Sequence, residues 1–283
     1  MGWFAKFKAL TFASVVVGAA LIVMLLFSGL VPQIARGGSE PIRVAVIDTG
    51  LDLTDPRFKG VLCPEGHEDF TGTSIKDSNG HGTHITGLIK EHAAGSNFCL
   101  IILKYYDETA PGAINLKREV AALRKAAELG VGIVNFSGGG PEFSEEEFLT
   151  IRDNPEITYV FAAGNENSNI DDVENYYYPA SNRLPNIVVV GSVDEKGNKL
   201  DSSNYGKRVT VVELGTVRST LPKWKCNGKA DCEGVMTGTS QATAIHTGKL
   251  IKRGVGHRLK VKKEPKPPGP QTSPSPETKS NPS

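Results

Sequence analysis

The chain has 283 residues, of which 39% are hydrophobic and 22% charged, with a formal net charge of +1. This composition is typical of a globular protein with one sizeable core, and the length alone allows one or two domains. The near-zero net charge excludes nucleic-acid binding driven by bulk electrostatics. We therefore expect no nucleic-acid partner.

The first predicted element is a membrane helix over residues 10–31, an uncharged run that would extend roughly 33 Å as a helix and span a bilayer core. A cleaved signal peptide also begins with basic residues such as Lys6 and Lys8, but its apolar region is usually about 7–15 residues and ends in a small-x-small site. The best such site here, Gln33-Ile34-Ala35, is poor. We predict an uncleaved signal anchor with residues 1–9 cytoplasmic and the rest periplasmic or extracellular. N-myristoylation is excluded because its motif needs a small hydroxyl residue at position 6, where this chain has Lys6.

Residues 32–40 are a predicted linker, and residues 41–257 a single domain in which strands and helices alternate. The strands are apolar on both faces, which predicts a three-layer α/β/α fold with a mostly parallel central sheet. Ser144 and Glu147 predict a capping box. In chain order the patterns predict strand IRVAVID, a helix from His81 to Gly95, strand Cys99–Tyr106, helix INLKREVAALRKAAELG, strand GIVNF, a short helix after Ser144, strands ITYVFA, NIVVVGSVD and VTVVELG, and a helix from Ser240.

Residues 258–283 form a predicted disordered tail. This segment is rich in Pro, Lys and Ser and has no apolar periodicity, so it cannot bury enough surface to order itself. A polybasic contact with a membrane or cell wall through Lys260, Lys262 and Lys263 is the alternative to a solvated linker.

Several polar residues occupy strand ends or helix starts, where the ligand sites of open α/β sheets lie. Asp48 ends the first strand, His81 begins a helix in DSNGHGTH, Asn165 follows a strand in FAAGNEN, and Ser240 begins the last helix in MTGTSQATAIH. Taken singly, each has an ordinary explanation as a turn former or a helix cap. Ser240 can also be a nucleophile at the positive end of a helix.

The motifs VAVIDTG, NGHGTH, NFSGGGP, AAGNEN and GTSQATA, in this order, resemble the subtilisin-like serine peptidases across nearly the whole central domain. The resemblance implies a subtilisin-like fold and an Asp, His, Ser triad made of Asp48, His81 and Ser240. It also implies that the Asn165 side-chain amide and the Ser240 backbone N–H stabilise the oxyanion.

The same resemblance implies a groove for an extended polypeptide. One edge would offer open main-chain groups, and family members often carry a larger side chain at Gly138, so we expect one wall of the groove to be bare. Neither wall carries a charge. The predicted edge is Ser137, Gly138 and Gly139, and the predicted opposite wall is Ala162, Ala163 and Gly164.

Four cysteines allow three disulfide pairings, and an extracytoplasmic domain permits them. Pairing of Cys226 with Cys232 would close a small loop before Ser240 and leave Cys63 with Cys99. We predict these two disulfides; the alternative is four free thiols in a cytoplasmic domain.

We predict no cofactor and no metal site. The carboxylate-rich loop Asp171-Asp172-Val173-Glu174 could hold calcium but lacks the spacing of a dedicated loop. The other histidines have structural interpretations: a solvated loop for His67, a structural hydrogen bond for His84, and helix-surface or packing positions for His92 and His246.

Some positions depart from the family pattern. Ala244 stands where the family usually has Pro, and Glu213-Leu214-Gly215 replaces a typical Ala-Pro-Gly. About ten residues separate the membrane segment from the first strand, too few for the usual folding-assistant propeptide, so we expect the domain to fold unaided or with help in trans.

We predict a monomeric, membrane-anchored serine endopeptidase acting on extended polypeptides. The alternative is a catalytically silent relative that binds extended polypeptide.

Overall fold

The computed structural model describes residues 40–256. The predicted membrane segment at residues 10–31 and the predicted tail at residues 258–283 lie outside this range. Within it, no helix combines the length and the apolarity needed to cross a bilayer.

Seven parallel strands form the central sheet. They are β1 Ile42–Asp48, β2 Glu68–Asp69, β3 Phe98–Lys104, β4 Ile133–Phe136, β5 Thr158–Ala162, β6 Ile187–Val193 and β7 Val211–Leu214. Their order in the sheet is β2-β3-β1-β4-β5-β6-β7. Strand β1 therefore lies inside the sheet, between β3 and β4, and its carboxyl end lies near the middle of one sheet edge.

Helices cover both faces of this sheet. The first core cluster contains Leu88 and Ile245 packed with Val46; the second contains Leu123 and Ile151. Because both faces are covered, the strands can be apolar throughout, and the three-layer prediction is confirmed. Helices α1 His81–His92 and α4 Thr239–Lys252 cover one face, and α2 Gly112–Glu128 and α3 Glu145–Arg152 cover the other.

An antiparallel hairpin, which the sequence did not predict, lies outside the main sheet. It pairs β8 Thr216–Thr220 with β9 Glu233–Thr237. The Ser219 hydroxyl donates to the His84 carbonyl at 2.9 Å, and the Thr220 hydroxyl donates to the Thr83 carbonyl at 3.0 Å. The hairpin therefore braces the first turns of α1.

Two disulfides are present, Cys63–Cys99 and Cys226–Cys232. The first joins the segment before β2 to strand β3, and the second closes the loop between β8 and β9. Both predicted pairings are confirmed, and the alternative of four free thiols is wrong.

Two local predictions need correction. The strand predicted at Cys99–Tyr106 ends at Lys104, because its partner β1 ends at Asp48, whose carbonyl accepts the last hydrogen bond of this ladder from the Tyr105 N–H at 3.1 Å. Only half of the capping box forms: the Ser144 hydroxyl accepts from the Glu147 N–H at 3.3 Å. The Glu147 carboxylate is buried instead and accepts a hydrogen bond from Asn182 at 3.3 Å.

Candidate active site

Asp48 and His81 meet at the carboxyl edge of the sheet. The Asp48 side chain, 4% exposed, lies 2.8 Å through Oδ1 from Nδ1 of His81. The Thr49 N–H donates to the same oxygen at 2.7 Å, which fixes the carboxylate. His81 is the first residue of α1, and its side chain is 26% exposed. One edge of the His81 ring therefore faces Asp48, and Nε2 on the other edge has no hydrogen-bond partner among the described residues.

Burial and charge act in opposite directions on the pKa of His81. Burial is the largest single effect and lowers the pKa of the imidazole, but the Asp48 charge, the Asp48 hydrogen bond and the Asp77 charge together outweigh it, so the pKa is raised above 6.5. Asp48 thus stabilises the imidazolium form of His81.

Asp77, which sequence reasoning missed, organises the turn before α1. Its carboxylate accepts from the Thr49 hydroxyl at 2.9 Å, the Gly80 N–H at 2.7 Å and the Thr83 N–H at 2.9 Å. These bonds occupy backbone donors that the helix start leaves open. The sequence feature that could have predicted this role is the Asp of DSNGHGTH, since an Asp side chain often accepts hydrogen bonds from the backbone N–H groups just after it.

Ser240 is the second residue of α4 and is 9% exposed. Its hydroxyl donates to the Ser137 carbonyl at 2.8 Å, and the Ser137 hydroxyl donates back to the Ser240 carbonyl at 3.1 Å. Within the described range, Ser240 and His81 are not hydrogen bonded. Ser240 is therefore held beside the predicted substrate edge and not against the imidazole.

Asn165 lies next to the start of α4. Its side-chain oxygen accepts from the Thr239 N–H at 2.9 Å and the Thr239 hydroxyl at 3.2 Å. This orientation directs the amide NH₂ group away from Thr239, and in residues 40–256 no acceptor bonds to it. Asn165 is exposed, so its NH₂ group is free to donate to a ligand.

The predicted substrate edge has open main-chain groups. Within the described range, no hydrogen bond involves the backbone of Gly138 or Gly139. Gly140 is different, since it pairs with Tyr178 through bonds of 2.9 and 2.7 Å. The predicted opposite wall is less accessible: all three of its residues, Ala162, Ala163 and Gly164, are buried, and their contact with substrate stays a prediction.

The expectation of a bare wall at Gly138 is wrong. A Cβ at this position would lie 2.5 Å from the Tyr105 hydroxyl and 2.9 Å from the Phe136 ring. The Tyr105 ring packs edge-on against Phe136, with centroids 5.3 Å apart. Tyr105 therefore occupies the space that a larger residue at position 138 would take.

His67 does not lie in a solvated loop, because it is half-buried. Its Nδ1 accepts from the Ile102 N–H at 3.0 Å, so the remaining ring N–H donates to the Cys63 carbonyl at 2.9 Å. Burial lowers the pKa of this imidazole.

In residues 40–256, three further histidines fit their structural interpretations. His84 is hydrogen bonded through Nε2 to the Gly234 carbonyl at 3.1 Å. His246 is buried and lies 3.2 Å from the Glu213 carboxylate, and His92 packs beside Gly248.

In the candidate calcium loop, one carboxylate is already hydrogen bonded to backbone N–H groups, and the expectation of no metal site stays a prediction. The Asp171 carboxylate accepts from the backbone N–H groups of Lys207 at 2.6 Å and Arg208 at 3.2 Å, so its oxygens already have donors. In the described part of the chain, no group of three or more His, Cys, Asp or Glu side chains could hold a metal ion.

An α/β sheet with Asp48, His81 and Ser240 around its carboxyl edge is the arrangement implied by the sequence motifs. Residues 39–252 match the model of the subtilase family, Peptidase_S8. The chain belongs to the subtilase family, and its fold is subtilisin-like.

Individual relatives agree with this assignment. The major intracellular serine protease of Bacillus subtilis (strain 168) is 30% identical over 227 residues, covering 74% of this chain and 67% of that protein. The cell wall-associated protease of the same organism is 29% identical over 209 residues, covering 71% of this chain but 22% of that protein. The family and these homologues indicate a serine endopeptidase.

Among solved structures, the crystal structure of a lanthipeptide protease is similar, with a TM-score of 0.63 and 22% identity. The match covers 77% of this chain and 74% of that chain. At this identity the likeness supports the fold alone.

Proposed function

We propose that the domain hydrolyses peptide bonds of extended polypeptides through Asp48, His81 and Ser240, with Asn165 as an oxyanion donor. The observation that carries this proposal is the 2.8 Å contact between Asp48 Oδ1 and His81 Nδ1. It holds the proton on Nδ1 and leaves Nε2 as the base, which is the tautomer that general-base catalysis requires.

In the first half of the reaction, His81 Nε2 takes the proton of the Ser240 hydroxyl as Oγ bonds to the substrate carbonyl carbon. The oxyanion accepts hydrogen bonds from the Ser240 N–H and the Asn165 NH₂ group. The carbon–nitrogen bond then breaks, and the imidazolium gives its proton to the leaving amine. Water then attacks the carbonyl carbon of the acyl-enzyme as His81 Nε2 takes a proton from it. The bond between this carbon and Ser240 Oγ breaks, the carboxylic acid product leaves, and the imidazolium returns the proton to Oγ.

The resting bond from Ser240 to the Ser137 carbonyl must break before attack. In the proposed mechanism the Ser240 hydroxyl exchanges that acceptor for His81 Nε2 by side-chain rotation, a motion that is fast relative to turnover. A substrate strand on the Gly138–Gly139 edge would bring its scissile carbonyl past Ser240, because this edge adjoins Ser137.

The same hydrogen bond favours a second candidate function, a silent relative that binds extended polypeptide. If the serine hydroxyl stays on Ser137, the groove can bind a strand without cutting it. The two candidates differ in the reactivity of Ser240.

Labelling with a fluorophosphonate tests this difference. We expect the probe to label the folded domain at Ser240 and to leave Ser240→Ala unlabelled. Ser202→Ala, whose side chain has no hydrogen bond among the described residues, is the matched serine control and should label fully. A folded wild type that resists the probe while binding polypeptide would favour the silent relative.

We also propose that residues 10–31 anchor the chain as a single-pass protein, with the domain outside the cytoplasm, no cofactor and no second subunit. The two disulfides support an oxidising compartment. Membrane fractionation with N-terminal sequencing tests the anchor. Soluble chain beginning near Gly37 would contradict it.

A further inference from the structure

A cavity adjoins the predicted substrate edge and has no part in the mechanism above. Its volume is about 330 Å³, and its walls include Gly139, Leu116, Glu119 and three tyrosines. We call it the acidic pocket. The tyrosines are Tyr105, Tyr106 and Tyr178.

Glu119 of α2 and Glu147 of α3 form a buried carboxyl pair at this pocket. Glu119, which lines the cavity, is 5% exposed, and Glu147 is 1% exposed. Glu119 Oε1 and Glu147 Oε2 find no protein donor within the described range, where the Asn182 amide is the one donor bonded to the pair. Across residues 40–256, neither carboxylate forms an ion pair with Lys, Arg or His.

The electrostatics of the pair support a shared proton. Burial raises the pKa of Glu119, and the neighbouring Glu147 carboxylate raises it further. Burial also raises the pKa of Glu147. If the pair shares one proton, that proton bridges the two carboxyls and the pair carries one negative charge.

A buried negative charge with no cation is unfavourable, because desolvation is not offset by an ion pair. A cation entering the pocket would supply the missing partner. The tyrosine rings suit the apolar stem of Lys or Arg, whose charged end can then reach the carboxyls.

We propose that the acidic pocket binds a Lys or Arg side chain of the polypeptide substrate and makes this protease selective for a basic residue on the N-terminal side of the cut. The selectivity rests on the proposed function, since the pocket acts on a substrate lying along the Gly138–Gly139 edge. A strand there directs alternate side chains to the same side, and Gly139 belongs to both the edge and the pocket.

The test uses peptides that carry a single Lys, Arg or norleucine, scanned over the four positions before the cut. Norleucine keeps the apolar stem and removes the charge. We expect one position at which Lys or Arg raises kcat/KM about tenfold or more over norleucine, the size of a charge-assisted hydrogen bond. A wild type with no such position would overturn the proposal.

The variants Glu119→Gln and Glu147→Gln should abolish this preference, so that kcat/KM for the Lys and Arg peptides becomes equal to that for the matching norleucine peptides. Glu145→Gln, an exposed carboxylate on the same helix as Glu147, is the matched control and should keep the preference. The double variant Glu119→Leu with Glu147→Leu removes both buried carboxyls and should reverse the preference toward norleucine. A basic preference that survives in the double variant would also overturn the proposal.

Failure of the proposed function is a separate result. If no peptide is cut and the fluorophosphonate does not label Ser240, the same peptides are tested for binding by fluorescence anisotropy. Tighter binding of the Lys peptide than of the norleucine peptide, lost in Glu119→Gln, would support the pocket in a non-catalytic groove. Equal affinities would contradict it.

Discussion

Ser240 does not act as a helix cap. The residue before α4 is Gly238, and no side chain caps the helix there; the Ser240 hydroxyl donates to a carbonyl on another segment. Substitution of a capping serine by Ala would cost about 0.5–2 kcal/mol of stability. Since Ser240 has no capping bond, this cost should not arise.

We expect Ser240→Ala to fold like the wild type and to lose several orders of magnitude in hydrolysis of an unstructured polypeptide. His81→Ala should be equally damaging, and the double variant scarcely worse, because the two side chains act as a unit. Asn165→Ala should lose less, about 10²–10³-fold in kcat, since it removes one oxyanion donor. The measurements are melting curves and polypeptide hydrolysis of the wild type and the four variants. Activity that survives in Ser240→Ala would contradict the proposed nucleophile.

The raised pKa of His81 predicts the pH profile. The base must be neutral, so kcat/KM should rise with pH through a midpoint above 6.5. Asp48→Asn removes the charge that raises this pKa most, so the midpoint should move to lower pH while the rate falls about 10⁴-fold. A midpoint unchanged in Asp48→Asn would refute this assignment.

The His81–Asp48 pair also contributes to the free energy of unfolding, and the raised pKa of His81 sets the direction in which this contribution changes with pH. Because the folded-state pKa of His81 is raised, its contribution to the free energy of unfolding is complete below the unfolded value near 6.5. It is lost as pH rises through the folded value. The pH of highest activity is therefore one at which this ion pair no longer stabilises the fold.

The candidate residues Asp48, His81, Asn165 and Ser240 could be predicted because each belongs to a short motif with a fixed local role. Tyr105 and Glu119 could not. Their importance comes from which distant residue each one meets, Gly138 for Tyr105 and Glu147 for Glu119, and local periodicity carries no information about such contacts.

At the scale of elements, the position of α1 depends on close backbone packing. Gly82, in its first turn, faces Gly50, and a Cβ at Gly82 would overlap the Gly50 carbonyl oxygen. The Gly82 N–H also donates to the Thr49 hydroxyl at 2.8 Å. The helix start therefore lies directly against the loop that follows Asp48.

We expect Gly82→Ala to destabilise the domain and to reduce activity beyond its effect on folding, because backbone cannot move aside as a flexible side chain can. Gly112→Ala is the matched control, since a Cβ at the start of α2 meets nothing within 4 Å. It should be neutral or stabilising by about 0.5–1 kcal/mol. Urea unfolding and kcat/KM measure both effects, and equal behaviour of the two variants would contradict the close-packing explanation.

The buried strands and amphipathic helices were predictable because burial imposes a pattern on their sequences. The β8–β9 hairpin was not: its strands are half-exposed and separated by a long loop, so neither a tight-turn signal nor an apolar run marks them. A two-residue strand such as β2 is too short to carry a pattern.

For the whole molecule, the two disulfides close loops of different size. The sequence separations are 36 for Cys63–Cys99 and 6 for Cys226–Cys232. In the chain-entropy view, a longer closed loop restricts the unfolded chain more.

Replacing Cys63 and Cys99 together by Ser should lower the free energy of unfolding by about 4 kcal/mol, and replacing Cys226 and Cys232 by about 2 kcal/mol. Denaturant titration of the two double variants measures the difference. A larger loss from the shorter loop would show that contacts, and not loop entropy, determine how much each disulfide stabilises the fold.

Peptide mapping without reductant should recover both disulfide-bonded pairs, and four free thiols would contradict both bridges.

Chain order adds a consequence for biosynthesis. Asp48 lies on the first strand of the described domain and Ser240 on its last helix, and α4 packs into the core of one sheet face. Because synthesis proceeds from the N-terminus, a ribosome-bound chain holds the proposed acid and base before it holds the proposed nucleophile. If Ser240 is that nucleophile, the nascent chain has no peptidase activity until α4 has been made, and activity arrives together with the final layer of the core.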